Sequence, residues 1–126
     1  MDKFEVQKRM MRLTLEVIKL TKKFPISQES KVISNQIIRS SSSTAANYRA
    51  ACRAKSTRDF IAKLGIVEEE SDETVFWLEL IIASSLVPEE LVTSTLKEAN
   101  EIVAMMVSSL KTAKENLKKL NKKDPE

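Results

Sequence analysis

Apolar and small residues recur at alternating spacings of four and three along nearly the whole chain, and this rhythm leaves few folds open. Such an alternation makes one stripe on a helix of 3.6 residues per turn and scatters across both faces of a strand. A first segment, about 2–23, carries Val6, Met10, Leu13, Val17, Leu20 and Phe24. A second, about 27–54, carries Ile33, Ile37, Ser40, Thr44, Asn47 and Ala51. A third, about 56–84, carries Phe60, Leu64, Val67, Ser71, Thr74, Leu78 and Ile81. A fourth, about 88–120, carries Val92, Leu96, Ala99, Val103, Met106, Leu110, Ala113, Leu117 and Leu120. One Gly and three Pro in 126 residues are too few for strands joined by tight turns, so the class is all-α. Four helices with short links pack most simply as an antiparallel up-down-up-down four-helix bundle. The length suits one domain, 1–126, with a basic tail expected to fray from about residue 121.

The second segment holds the point on which this reading turns. Ser40-Ser41-Ser42-Ser43-Thr44-Ala45-Ala46 reads by composition as a linker, yet the stripe passes straight through it without a Gly or Pro. Serine costs a helix only about 0.5 kcal/mol relative to alanine. Continuity is therefore expected, with the small side chains serving close approach of a neighbouring helix; the alternative is a break at Ser41 to Ser43.

Local signals bound the segments. Pro25 disfavours helix geometry at Phe24, and Ser27 is an N-cap candidate. Ser56-Thr57-Arg58-Asp59 reads as a capping-box variant. Pro88 suits a first helical position, followed by Glu89 and Glu90 where negative charge favours a helix start. Gly65 lies inside the third stripe, where it is expected to allow close approach.

Met11, Leu15 and Ile18 form a second stripe beside the first on the opening segment. This is more apolar face than one groove needs, and it points to burial against further helices, including those of another subunit. Charge is also uneven. The net charge of +3 conceals 14 Lys/Arg against 5 Asp/Glu in residues 1–63, and 1 against 10 in residues 64–101. In the up-down topology, fifteen basic residues gather at one end: Lys3, Lys8, Arg9, Arg12, Arg49, Arg53, Lys55, Arg58, Lys63, Lys111, Lys114, Lys118, Lys119, Lys122 and Lys123. Asp2, Glu5, Asp59, Glu115, Asp124 and Glu126 stand against them. Clustered Lys and Arg are what phosphate contacts require. The candidate nucleic-acid-binding residues are Arg49, Arg53, Lys55, Arg58, Lys111, Lys114, Lys118, Lys119, Lys122 and Lys123; the competing reading is a solvated charged end.

Several chemistries are excluded. There is no His, which removes His-dependent triads, His-ligated zinc and Glu-x-x-His di-iron sites. A single Gly cannot build a phosphate loop or dinucleotide fingerprint. No cofactor or metal is expected, and no enzymatic activity. The run Glu68-Glu69-Glu70-Ser71-Asp72-Glu73 does not make a cation site, because adjacent helical residues point in different directions. Glu70, Glu73 and Trp77 do share a flank and are placed to meet Arg39 or Arg49 in a partly buried network. Tyr48 and Trp77 are expected as packed rings with hydrogen-bonded tips rather than base-stacking platforms. Cys52 is alone, expected as a packing residue. Residues 1–12 are charged and unlike a secretory signal, and the apolar stretch 75–86 falls short of the roughly 20 residues a membrane span needs. A cytoplasmic protein with no membrane partner is expected.

The layout of Phe24-Pro25, Gln36 to Ser40, Ser43 to Ala51, Ser56, Phe60 to Ile66 and Glu73 to Glu79 resembles the bacterial four-helix bundle proteins encoded in 23S rRNA intervening sequences. It is also similar to the related accessory variability determinant of diversity-generating retroelements. Many relatives carry Pro in the serine-rich motif and a Glu-Gly pair after the Asn; here Tyr48 to Ala51 follow Asn47, which favours an unbroken helix. The resemblance implies an all-α bundle assembling as a homopentameric ring, non-enzymatic, with RNA or DNA contacted through basic surfaces. The alternative reading is a scaffold or accessory subunit that binds a protein partner, such as a reverse transcriptase, with little direct nucleic-acid binding. Arg39, Asn47, Tyr48, Glu73 and Trp77 fall in the resembling motifs, and with Glu70 on the same flank they are the candidate structural residues.

Overall fold

The computed structural model describes residues 1–123, apart from the side chain of Lys123. Four α-helices form, with no strand among the described residues: α1 (Lys3–Thr21), α2 (Gln28–Ala51), α3 (Thr57–Ala83) and α4 (Thr93–Lys123). Their starts follow from local hydrogen bonding. Asp2 caps α1 by accepting from the N–H groups of Phe4 and Glu5, both at 2.9 Å. Ser27 caps α2 through Ser30 N–H at 3.1 Å, as its position in the sequence predicts. Ser56 caps α3 through Asp59 N–H at 3.1 Å, while the Asp59 carboxylate reaches back to the N–H of Lys55 at 3.2 Å. The box is reciprocal, but it closes one residue further back than Ser56.

Two features depart from expectation. Pro88 does not begin a helix: its ψ of 137° is extended, and Glu89–Leu91 forms a single 3₁₀ turn before α4 starts at Thr93. Val87 and Val92 are both buried. The extended Pro88 between them breaks the helical spacing, which would set residues five apart about 140° from each other. At its far end α4 stays helical through Lys123, past the expected limit of 120; residues 124–126, including Asp124 and Glu126, lie outside the described residues. α3 ends in a Schellman turn, with Leu86 N–H on the Ile81 carbonyl at 3.2 Å and Ser85 at a φ of 55°.

The helices pack in sequence order, α2 on α3 most extensively, then α3 on α4 and α1 on α2. Met10, Val17, Ile37, Leu64, Leu78, Ile81, Ile102 and Met106 fill the centre. The α1–α4 seam is the thinnest. There the Arg9 guanidinium grips Glu98 with two hydrogen bonds, at 2.9 and 2.5 Å, and approaches Glu101 at 3.6 Å.

The serine run is continuous helix in the middle of α2. Ser40, Ser41 and Thr44 of α2 are buried, as are Ser71 and Thr74 of α3. Each hydroxyl is satisfied. Ser40 and Thr74 share a hydrogen bond of 2.9 Å across the two helices. Thr44 donates to the Ser40 carbonyl at 2.8 Å, Thr74 to that of Glu70 at 3.0 Å, and Ser71 to that of Glu68 at 2.9 Å. No buried side-chain polar atom among the described residues lacks a partner. Small volume and internally satisfied hydroxyls together explain why α2 and α3 make the largest contact.

Asn47 is half-buried rather than on the seam. Its amide donates to the carbonyl and hydroxyl of Ser43 within α2, both at 2.9 Å, and the neighbouring Tyr48 ring takes the core position. Gly65 also differs from expectation, since a Cβ built there would meet nothing within 4 Å. Its small size permits no close approach. With no packing reason for glycine inside a helix, Gly65→Ala is expected to stabilise the fold by about 0.5–1 kcal/mol, seen as a raised urea midpoint at unchanged m-value.

Candidate nucleic-acid interface

The flank of α2 and α3 carries a polar network that the sequence anticipated. Arg39 bonds Glu70 at 3.0 Å and also bonds Glu73, while its Nε donates to Gln36 at 3.1 Å. The Trp77 indole N–H donates to Glu73 at 2.9 Å, and the exposed Phe76 stands edge-on to Trp77 with centroids 5.0 Å apart. Of the two arginines considered, Arg39 is the one that pairs. The Ser40–Thr74 contact fixes the antiparallel register, which sets Arg39 opposite Glu70 and Glu73 and leaves Arg49 about 15 Å further along α2.

Burial pushes the Glu73 carboxyl upward, but the hydrogen bonds from Trp77 and Arg39 outweigh it and hold the group below its ordinary value. A depressed carboxylate contributes stability above its unfolded pKa and loses it as pH falls through the folded one. Glu73→Gln is therefore expected to flatten the acid limb of a stability–pH curve below the ordinary glutamate range, leaving its shape above pH 6 unchanged.

The basic residues occupy one end of the bundle but not one face. Arg49 and Arg53 flank a groove of about 460 Å³ between α1 and α2, with Met11, Ala45 and Ala46 in its lining. Lys111, Lys114 and Lys118 line another, of about 430 Å³, beside Glu68 and Glu115. Lys55 and Arg58 lie at the α2–α3 connection, and Lys119 and Lys122 follow on α4. The side chain of Lys123 lies outside the described residues. Nine candidates, Arg49, Arg53, Lys55, Arg58, Lys111, Lys114, Lys118, Lys119 and Lys122, are exposed, and none takes part in an ion pair among the described residues. The end therefore offers cationic groups on more than one side.

Two of the fifteen gathered residues are already engaged. Arg9 is held by Glu98, and Lys63 bonds Asp59 at 2.5 Å. Lys63 is the leading cause that lowers the Asp59 carboxyl, followed by the Lys55 N–H. The Arg9–Glu98 clamp was not foreseen. Its partners are far apart in sequence, and neither stripe nor cap marks them.

Tyr48 is buried, and burial pushes its hydroxyl above its ordinary value. Cys52 is free and half-buried. No group of three or more potential metal ligands occurs among the described residues, and no described helix is long and apolar enough to cross a membrane.

Fold and surface thus define a small all-α, four-helix bundle with a buried hydroxyl seam and a cationic end. The model of the 23S rRNA-intervening sequence protein family matches residues 2–108, and the chain belongs to that family. A crystal structure of a protein of unknown function from the S23 ribosomal protein family, from Bacteroides thetaiotaomicron, is similar at a TM-score of 0.77 and 35% identity. The likeness covers 84% of this chain and 98% of that one. None of the curated proteins matches. The family match ends at residue 108, so Lys111, Lys114, Lys118, Lys119, Lys122 and Lys123 stand beyond it.

Proposed function

We propose that this chain is a non-enzymatic, homo-oligomeric module of the cytoplasm that binds structured RNA or DNA through phosphate contacts at its basic end. The observation that carries the reading is the set of nine exposed cations at that end with no ion pair within the described chain. Phosphate binding is a general use of such groups and asks for no base-reading machinery. Membership of a family named for 23S rRNA intervening sequences supports a nucleic-acid context.

The homo-oligomer, taken as the homopentamer implied by the family resemblance, is supported by a different feature. Phe4, Met11 and Leu15 are 61%, 55% and 49% exposed along α1, forming a stripe that a single copy leaves in water. That stripe also favours the second reading, a scaffold or accessory subunit for another protein such as a reverse transcriptase. Pull-down with and without nuclease separates the two, because only a protein partner survives nuclease.

Binding of a labelled RNA hairpin, measured from 50 to 300 mM salt, tests the main reading. The expected log–log slope is about −4 or steeper, as several displaced counterions require. Salt-independent or undetectable binding counts against it.

A further inference from the structure

A cavity of about 510 Å³ opens at the basic end, where the first turn of α1, the last turn of α2, the start of α3 and the body of α4 meet. Its floor is small and apolar, formed by the buried Ala51 and Ala113. Tyr48 and Phe60 contribute aromatic walls, and Asn116, Thr57, Ser56 and Lys3 bring an amide, two hydroxyls and an ammonium to its lining. Arg53 and Lys55 sit in the same α2–α3 connection, exposed and unpaired among the described residues.

We propose that this cavity receives one unstacked nucleobase of a bound RNA, an inference that rests on the nucleic-acid reading above. An anion alone has no use for an apolar floor with aromatic walls. A greasy side chain has no use for an amide and hydroxyls around it. A heterocyclic base joined to a phosphate uses both: its face meets Phe60 and Tyr48, its edge meets the Asn116 amide, which offers donor and acceptor together, and its phosphate meets Lys3. The ligand class is a duplex interrupted by a bulged or looped-out nucleotide. Most of the affinity then comes from phosphates along the paired stem, and the cavity adds selectivity at one position. Phe4, 61% exposed on the first turn of α1 with the Lys3 ammonium 5.4 Å from its ring centroid, is a further aromatic residue at this end.

The test uses two RNA hairpins of equal length, one fully paired and one with a single bulged uridine, at fixed salt. The wild-type protein is expected to prefer the bulged hairpin by roughly tenfold, as one base stack provides. Ala113→Met, which fills the floor, is expected to abolish the preference while leaving affinity for the paired hairpin unchanged. A second measurement needs no variant: 5-iodouridine at the bulge should crosslink to the peptide containing Tyr48 or Phe60. Equal wild-type affinity for the two hairpins, or crosslinks confined to other peptides, overturns the pocket and leaves the charge reading standing. Failure to bind either hairpin overturns both.

Discussion

Ser40→Leu is expected to destabilise the fold by about 2–4 kcal/mol, because a fully buried serine at the most extensive helix contact has no room for three more carbons. The substitution adds no unsatisfied group, since Thr74 keeps its bond to the Glu70 carbonyl at 3.0 Å. What it adds is volume. α2 and α3 must separate or the leucine must leave its rotamer, and either response spreads into the neighbouring buried Thr44 and Ser71. At roughly 3–5 °C per kcal/mol for a chain of this size, the melting temperature should fall by about 6–20 °C at fixed protein concentration. Ser40→Ala removes only the shared hydroxyl contact and should cost about 1 kcal/mol or less. Ser42→Ala, on the exposed side of the same run, should change nothing measurable or stabilise slightly. If Ser40→Leu melts with the wild type, the close-packing role of the serines is wrong.

Reversing four exposed lysines of α4, Lys114, Lys118, Lys119 and Lys122, to glutamate is expected to weaken RNA binding by about 100-fold or more at 100 mM salt and to reduce the salt slope by about 3–4. Each lysine removed forgoes a counterion release, and each glutamate adds repulsion against the phosphate backbone. Negative charge near a helix C-terminus also opposes the macrodipole, by about 0.3–1 kcal/mol per residue. A parallel set of Lys→Gln variants therefore separates binding from helix stability, and should show the slope change without the repulsion. Fluorescence anisotropy measures the affinities, and helical circular dichroism confirms the fold. Unchanged affinity in the glutamate variant would remove these four lysines from the interface and leave Arg49, Arg53, Lys55, Arg58 and Lys111 as the remaining exposed candidates.

The helices were legible because their causes are local. A repeat of four and three marks a helical face whatever the neighbours are, and Ser27 and Ser56 cap within three residues of themselves. For the same reason the serine run could be read as helix from the absence of Gly and Pro. The surplus stripe on α1 was visible too, and Met11 and Leu15 are indeed exposed. Legibility stops where two elements must be set against each other. Asn47 and Tyr48 are adjacent and both compatible with the stripe, and only the packing of α2 between α1 and α3 places the ring inward. The cationic residues were counted in full, but whether they lie on one face, and which are already taken by Glu98 or Asp59, depends on positions brought together from distant parts of the chain.

By itself, then, the sequence determined the number and type of the elements, most of their ends and the polarity of charge along the bundle, since propensity, periodicity and capping act within a few residues. The tertiary structure decided the register. That register pairs Ser40 with Thr74 and gives Glu73 to Arg39 rather than Arg49, while packing of the connections replaces the expected helix start at Pro88 with a 3₁₀ turn and leaves a cavity lined by Ala113. Each of these depends on how side-chain volumes fit across helices, and no span of neighbouring residues contains that information.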